Sequence, residues 1–181
     1  MKNYISFLFL LLSFSLFAQT DTPTKVYLVR HTEKITDDPK EKDPLLTMKG
    51  TTRAVALAQV LKNIPLHAIY STDYKRTRAT ALPTAEQQNI EIQIYNAGNL
   101  KTEAATILKN NKGKTILIVG HSNTVLEMIE AMGAKKPIEN IADQDYNNLF
   151  LIVFNPDATM EVKAMLYGAP NSYKEGAQKM H

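Results

Sequence analysis

The chain has 181 residues, of which 44% are hydrophobic and 22% charged, with no Cys, no Trp and a formal charge of +3. This length fits one ordinary domain, and the apolar fraction suffices for a sizeable core, so disordered, collagen-like and disulfide-scaffold classes are excluded. Without Cys there is no thiolate nucleophile and no Cys-based zinc site, and four His leave little for metal chemistry. The balanced charge carries no electrostatic footprint for nucleic acid.

In chain order, Lys2 precedes an uncharged run, Ile5–Phe17, which falls short of the roughly 20 residues a membrane-crossing helix needs. With Ala18 after it, the pattern reads as a signal peptide over residues 1–18, cut between Ala18 and Gln19. An uncleaved anchor is the alternative. The expected product is exported to the periplasm or the medium, with no stable membrane anchor after cleavage. A short leader covers 19–24, the folded domain 25–168 and a polar tail 169–181.

Within the domain, Lys25–Val29 reads as a buried strand. Met48–Leu61 has helical spacing, with Val55, Leu57, Ala58 and Leu61 on one face and Thr47 as N-cap. There follow a strand at Ala68–Tyr70, a helix over Tyr74–Gln88, a weak strand at Glu91–Ile94 and a helix near Thr102–Leu108. Thr115–Val119 is apolar almost throughout, as strands covered on both faces are, and leads to a helix over Asn123–Met132 with Gly133 as its stop. Leu149–Phe154 and Met160–Leu166 flank the turn residues Asn155–Thr159 and read as an antiparallel pair. The expected fold is α/β: a three-layer sandwich with a mostly parallel central sheet, helices on both faces and a C-terminal antiparallel pair.

Three strand ends carry the polar chemistry. The first strand runs into Arg30-His31, the third buried run into Gly120-His121, and Ala68–Tyr70 into Ser71-Thr72-Asp73, with Arg76 and Arg78 close behind. Open α/β sheets bind ligands at this carboxyl edge, so the three segments are expected to meet in one crevice. Only four of the 21 basic residues are Arg, and three of them lie here. The guanidinium fork matches phosphate or carboxylate oxygens, which favours Arg30 and Arg76; Arg53 and Arg78 read as ordinary surface pairs. Two His and two Arg without thiol or metal cluster suit an anionic tetrahedral group. The chemistry implied is phosphoryl transfer to a neutral imidazole.

These blocks resemble the histidine phosphatase superfamily, which includes the phosphoglycerate mutases. Val29-Arg30-His31-Thr32-Glu33 is similar to its Arg-His-Gly-Glu signature, Ser71–Ala81 to its Ser-Ser-x-x-x-Arg-Ala-x-x-Thr-Ala block, and Val119-Gly120-His121-Ser122 to the block with the second His. The resemblance implies that His31 is the phosphorylated nucleophile, that Arg30, Arg76 and His121 hold the phosphoryl oxygens, and that no metal or other cofactor takes part. Thr32 stands where the family has Gly and is expected to narrow the pocket. Ser122 stands where some branches place the acidic residue, so the general acid must come from elsewhere, with Glu103 the first choice and Glu33 the second. The expected activity is that of a phosphomonoesterase on a small-molecule or cell-envelope phosphate ester; the alternatives are a catalytically silent phospho-ligand-binding domain and a mutase-like phosphotransferase.

Other features are set aside. Gly113-Lys114-Thr115 lacks the spacing of a phosphate-binding loop and reads as a turn. Ser122 reads as the N-cap of the next helix rather than a nucleophile. His67 and His181 are expected at the surface, Tyr146 and Tyr167 either at the pocket mouth or in packing, and Lys34–Lys42 in a flexible loop beside the site.

Overall fold

The structure, a computed structural model, describes residues 22–171. The expected signal peptide, residues 19–21 of the leader and residues 172–181 of the tail, with His181, lie outside the described residues. Strands β1 (Thr24–Arg30), β2 (Ala68–Ser71), β3 (Ile92–Ile94), β4 (Thr115–Gly120), β5 (Asn148–Phe154) and β6 (Met160–Leu166) alternate with helices α1 (Met48–Leu61), α2 (Lys75–Gln88), α3 (Leu100–Asn110) and α4 (Ser122–Ala131) up to β5. They form one six-stranded sheet in the order β3-β2-β4-β1-β5-β6. The strands β1 to β4 are parallel where they pair, whereas β5 runs antiparallel to both β1 and β6.

Successive side chains of a strand point to opposite faces. Val26 and Leu28 of β1, with Ile116 and Ile118 of β4, therefore enter one core layer against Ala104 and Ile107 of α3 and Val125, Met128 and Ile129 of α4. Tyr27, Val29, Leu117 and Val119 enter the other, against Leu57 and Leu61 of α1 and Ala81 and Ala85 of α2. Both faces being covered is why β1 and β4 are apolar without alternation. The three-layer α/β expectation is met, and no helix among the described residues is long and apolar enough to cross a membrane.

Local signals act as expected at most element ends. Thr47 caps α1 by accepting the Gly50 N–H at 3.0 Å. Gly113 and Gly133 take positive φ where the chain turns out of α3 and α4. Two expectations fail. Val55 is 45% exposed, because it lies about 200° around the helix from Leu57; the buried face is instead Gly50, Arg53, Ala54, Leu57, Ala58 and Leu61. Ser122 is the first residue of α4 and not its cap: His121 is still extended, and its N–H donates to Thr124 Oγ1 at 3.0 Å.

Candidate active site

The register of the two central strands builds the site. Arg30 pairs with Gly120, so the residues that follow, His31 and His121, leave adjacent strands side by side. The His31 N–H donates to the Gly120 carbonyl at 2.9 Å, extending the ladder one step, and the rings stand edge to face with centroids 5.4 Å apart. On the other side of β4, Ser71 pairs with Val119, which brings Thr72 level with Gly120 and its hydroxyl within reach of His121.

The partners of each ring settle its tautomer. His31 Nδ1 lies 2.8 Å from the Thr32 carbonyl, which can only accept, so Nδ1 carries the hydrogen and Nε2 keeps its lone pair. His121 has Nδ1 3.5 Å from Arg76 Nη2, which can only donate, so its hydrogen sits on Nε2 and is given to Thr72 Oγ1 at 3.0 Å. Thr72 in turn donates to Thr77 Oγ1 at 3.0 Å, and Thr77 to the main-chain carbonyls of Thr72 and Tyr74. Burial pushes the His31 imidazole down to about 3; the Thr32 bond opposes this, while Arg30, His121 and Arg76 add to it. Burial likewise lowers His121 to about 4, with Arg76, Arg30 and Lys34 acting in the same direction. Both rings are neutral at pH 7.

Two arginines close on the pair from opposite sides. Arg30, 5% exposed, donates through Nη1 to the carbonyls of Ala142, Asp143 and Asp145, and its guanidinium lies 4.4 Å over the ring of Tyr146. Tyr146 is 6.1 Å from His31 between centroids. Arg76 lies 4.4 Å over the ring of Tyr74, which meets His121 edge to face, and its Nη1 is 3.4 Å from Asp43 Oδ1. The Nε of Arg30 and the Nε of Arg76 are both buried without an acceptor. A buried cationic N–H without a partner is costly, and an anion between the arginines would satisfy both.

Arg53 corrects the sequence reading. It is 3% exposed, not a surface residue, and its Nε and Nη2 grip the Glu33 carboxylate at 2.7–3.0 Å. Burial acts to raise the Glu33 carboxyl, but the Arg53 hydrogen bonds and charge, aided by Lys49, outweigh it and hold the group below its ordinary value. Glu33 is thus a fixed carboxylate behind the loop that follows His31. Thr32 does not narrow the pocket: it is fully buried, its N–H donating to Thr80 Oγ1 at 3.0 Å and its hydroxyl 3.3 Å from the same atom. Arg78 makes the expected exposed pair with Asp73. His67 is exposed, and Tyr167 packs in the core.

Glu103 sits in the first turn of α3, where its Oε1 accepts the Asn96 N–H at 3.2 Å. It shares a cavity of about 500 Å³ with Thr72 and Tyr74, beside the His121 end of the site, and hydrogen-bonds to neither histidine. A second cavity of about 420 Å³ opens at the Arg30 end between Lys34, Lys49, Gln144 and Tyr146. Among the described residues no three His, Asp or Glu stand close enough to hold a metal ion. Sequence reasoning missed Thr72, Tyr74 and the 142–145 carbonyls. Thr72 was findable as the residue one step past a strand paired to the histidine-bearing one, whereas main-chain carbonyls leave no side-chain signature.

The class these features define is an open α/β-sheet protein with a cationic, histidine-bearing pocket at the carboxyl edge of its strands. Residues 26–97 match the model of the histidine phosphatase superfamily (branch 1). Over 72 residues the chain is 40% identical to phosphoserine phosphatase 1 of Hydrogenobacter thermophilus, a match covering 38% of this chain and 34%, about a third, of that relative's length. Among solved structures, the mycobacterial glucosyl-3-phosphoglycerate phosphatase superposes with a TM-score of 0.64 at 12% identity, covering 82% of this chain and 100% of that one. The protein histidine phosphatase SixA, complexed with tungstate, superposes with a TM-score of 0.61 at 13% identity over 78% of this chain and 96% of its own. At these identities the solved structures share the fold. The matched segment holds Arg30, His31 and Arg76, while His121 lies beyond it, so the likeness to the histidine phosphatase superfamily covers the first half of the domain and the solved structures extend the fold over the rest.

Proposed function

We propose that the protein is a phosphomonoesterase that works through a phosphohistidine on His31. The observation that carries this reading is a histidine whose Nε2 lone pair is free, set between two arginines that each hold a buried Nε–H without an acceptor. Nε2 attacks phosphorus in line, the ester P–O bond breaks, and the leaving oxygen takes a proton from a general acid. Water then gives a proton to the carboxylate left by that acid and attacks phosphorus as the P–N bond breaks, releasing phosphate and restoring neutral His31. Arg30 and Arg76 hold the equatorial oxygens, where charge is spread in the transition state, and His121 joins them when its Nε2–H turns from Thr72 to the phosphoryl group. His31 is already deprotonated at neutral pH, so no base has to activate it.

Glu103 is the general acid in this proposal, because it faces the cavity next to Thr72 while Glu33 is tied up as a carboxylate. The substrate is a small phosphate ester; phosphoserine, the substrate in the name of the matched relative, is the first to try. Export rests on residues 1–18 alone and is checked by the N-terminal sequence of the mature protein.

A second reading, phospho-ligand binding without turnover, draws on one observation: no carboxylate hydrogen-bonds to either histidine. The test separates them. Purified protein in chelator should release phosphate from an aryl phosphate and form an acid-labile, base-stable phosphoenzyme, both lost in His31→Ala; equal activity in that variant would overturn the mechanism. Glu103→Gln should slow alkyl esters far more than aryl ones, whose leaving groups need less protonation.

A further inference from the structure

The segment that follows β6 touches both walls of the active site. At one end, Arg53 Nη1 donates to the Ala169 carbonyl at 2.6 Å while the same guanidinium grips Glu33, two residues past His31. At the other end, the Asn171 carboxamide holds three consecutive residues of the opposite loop. Its Oδ1 accepts the Tyr146 N–H at 3.1 Å, and its Nδ2 donates to Asp145 Oδ1 at 3.1 Å and to Asn147 Oδ1 at 2.6 Å. Asn147 is itself buried, and its carbonyl accepts the Tyr167 N–H at 2.9 Å.

The loop so held is the one that sets Arg30. The Asp145 carbonyl accepts from Arg30 Nη1, and the Tyr146 ring carries the Arg30 guanidinium over its face and lies tilted beside His31, 6.1 Å away between centroids. Three main-chain acceptors and one ring fix where the unpartnered Arg30 Nε points, and all four belong to residues 142–146. A carboxamide can accept and donate at once, which a carboxylate or a hydroxymethyl group cannot reproduce across all three contacts.

We infer that residues 167–171 form a strap that positions the phosphate pocket, with Asn171 as a positioning residue acting through Tyr146 on Arg30. This rests on the phosphatase reading for its kinetic consequences, but not for its binding ones. The strap does no chemistry itself. Its removal lets Arg30 drift, and displacements on the order of 1 Å in a phosphoryl site cost about tenfold to a hundredfold in rate.

The experiment compares wild type, Asn171→Ala and Asn171→Asp by vanadate affinity, by kcat and KM on an aryl phosphate, and by thermal unfolding. Asn171→Asp keeps the acceptor for the Tyr146 N–H but loses the donor and sets a charge against Asp145, so it tests the same contacts if the Ala variant fails to fold. The expected result is folded protein with vanadate affinity and kcat/KM each down about tenfold or more. A cycle with Tyr146→Ala should be strongly non-additive, since both variants act on Arg30. Variants that bind vanadate like wild type, that lose only thermal stability, or that add independently to Tyr146→Ala overturn the strap. Wild-type protein that binds vanadate but turns nothing over overturns the phosphatase reading and leaves the binding comparison intact.

Discussion

His31 and His121 stay neutral because both are buried and the charges that act most on them are the cations Arg30 and Arg76, which Asp43 only partly offsets at His121. Their ring C–H resonances should therefore show no titration between about pH 5 and 8 by NMR in phosphate-free buffer; a midpoint near the ordinary value of about 6.5 for either ring would contradict the packing described. The sign for stability follows. Unfolded imidazoles bind protons from about pH 6.5 downward, while the folded rings resist until about 4 and about 3, so the unfolded state takes up more protons. Stability should fall as pH drops from about 7 to about 4, and His31→Asn should flatten that slope in urea titrations across pH. The Arg53–Glu33 pair belongs to the same scale. Removing one partner strands a buried charge, so Arg53→Met should cost about 3–5 kcal/mol in chemical denaturation, and Glu33→Met added to it should recover much of the loss. His31, His121, Arg30 and Arg76 were all legible in the sequence as strand-end or early-helix polar residues. Arg53 was not, because nothing local distinguishes an arginine on a helix face that meets water from one that meets a carboxylate from a distant loop.

At the scale of elements, the pocket depends on how α1 docks beneath the catalytic loop. Gly50, in the first turn of α1, lies so close to the Glu33 main chain that a Cβ there would be 2.1 Å from the Glu33 carbonyl oxygen. No side-chain adjustment relieves a clash with backbone, so either α1 or the loop after His31 must move. Gly50→Ala should lower stability by about 1–3 kcal/mol and reduce kcat/KM at the same time, measured by urea unfolding and steady-state kinetics. A variant unchanged in both would show that the approach is looser than described. Element types followed from pattern: continuous apolar runs for β1 and β4, helical spacing for α1, turn residues before β6. Errors fell where a single residue's direction decided the outcome, as with Val55, which helical geometry turns to solvent, and Thr32, whose hydroxyl turns into the Thr80 contact rather than toward the pocket.

For the molecule as a whole, the two core layers hold a sheet whose carboxyl edge supplies both histidines and Arg30, while long-range loops supply their settings. Because the pocket is preformed and short of acceptors, an anion should stabilise the fold by mass action. The unfolding temperature should rise with vanadate or inorganic phosphate, and Arg30→Met together with Arg76→Met should abolish the shift in calorimetric or fluorescence melts. A chloride control at equal ionic strength separates site binding from screening.

The sequence by itself determined the α/β class, the order of elements and the strand-end positions of both histidines, because periodicity, capping and turn chemistry act within a few residues. Tertiary structure alone decided which strands became neighbours and in what register, and so that His31 and His121 stand side by side at the edge they were expected to share. It also decided that Arg53 is buried on Glu33, that carbonyls more than a hundred residues from Arg30 aim its guanidinium, and that the chain beyond β6 holds both walls in place. Those contacts join groups far apart in the chain, and the main-chain acceptors among them look the same in every residue, so no local pattern encodes them.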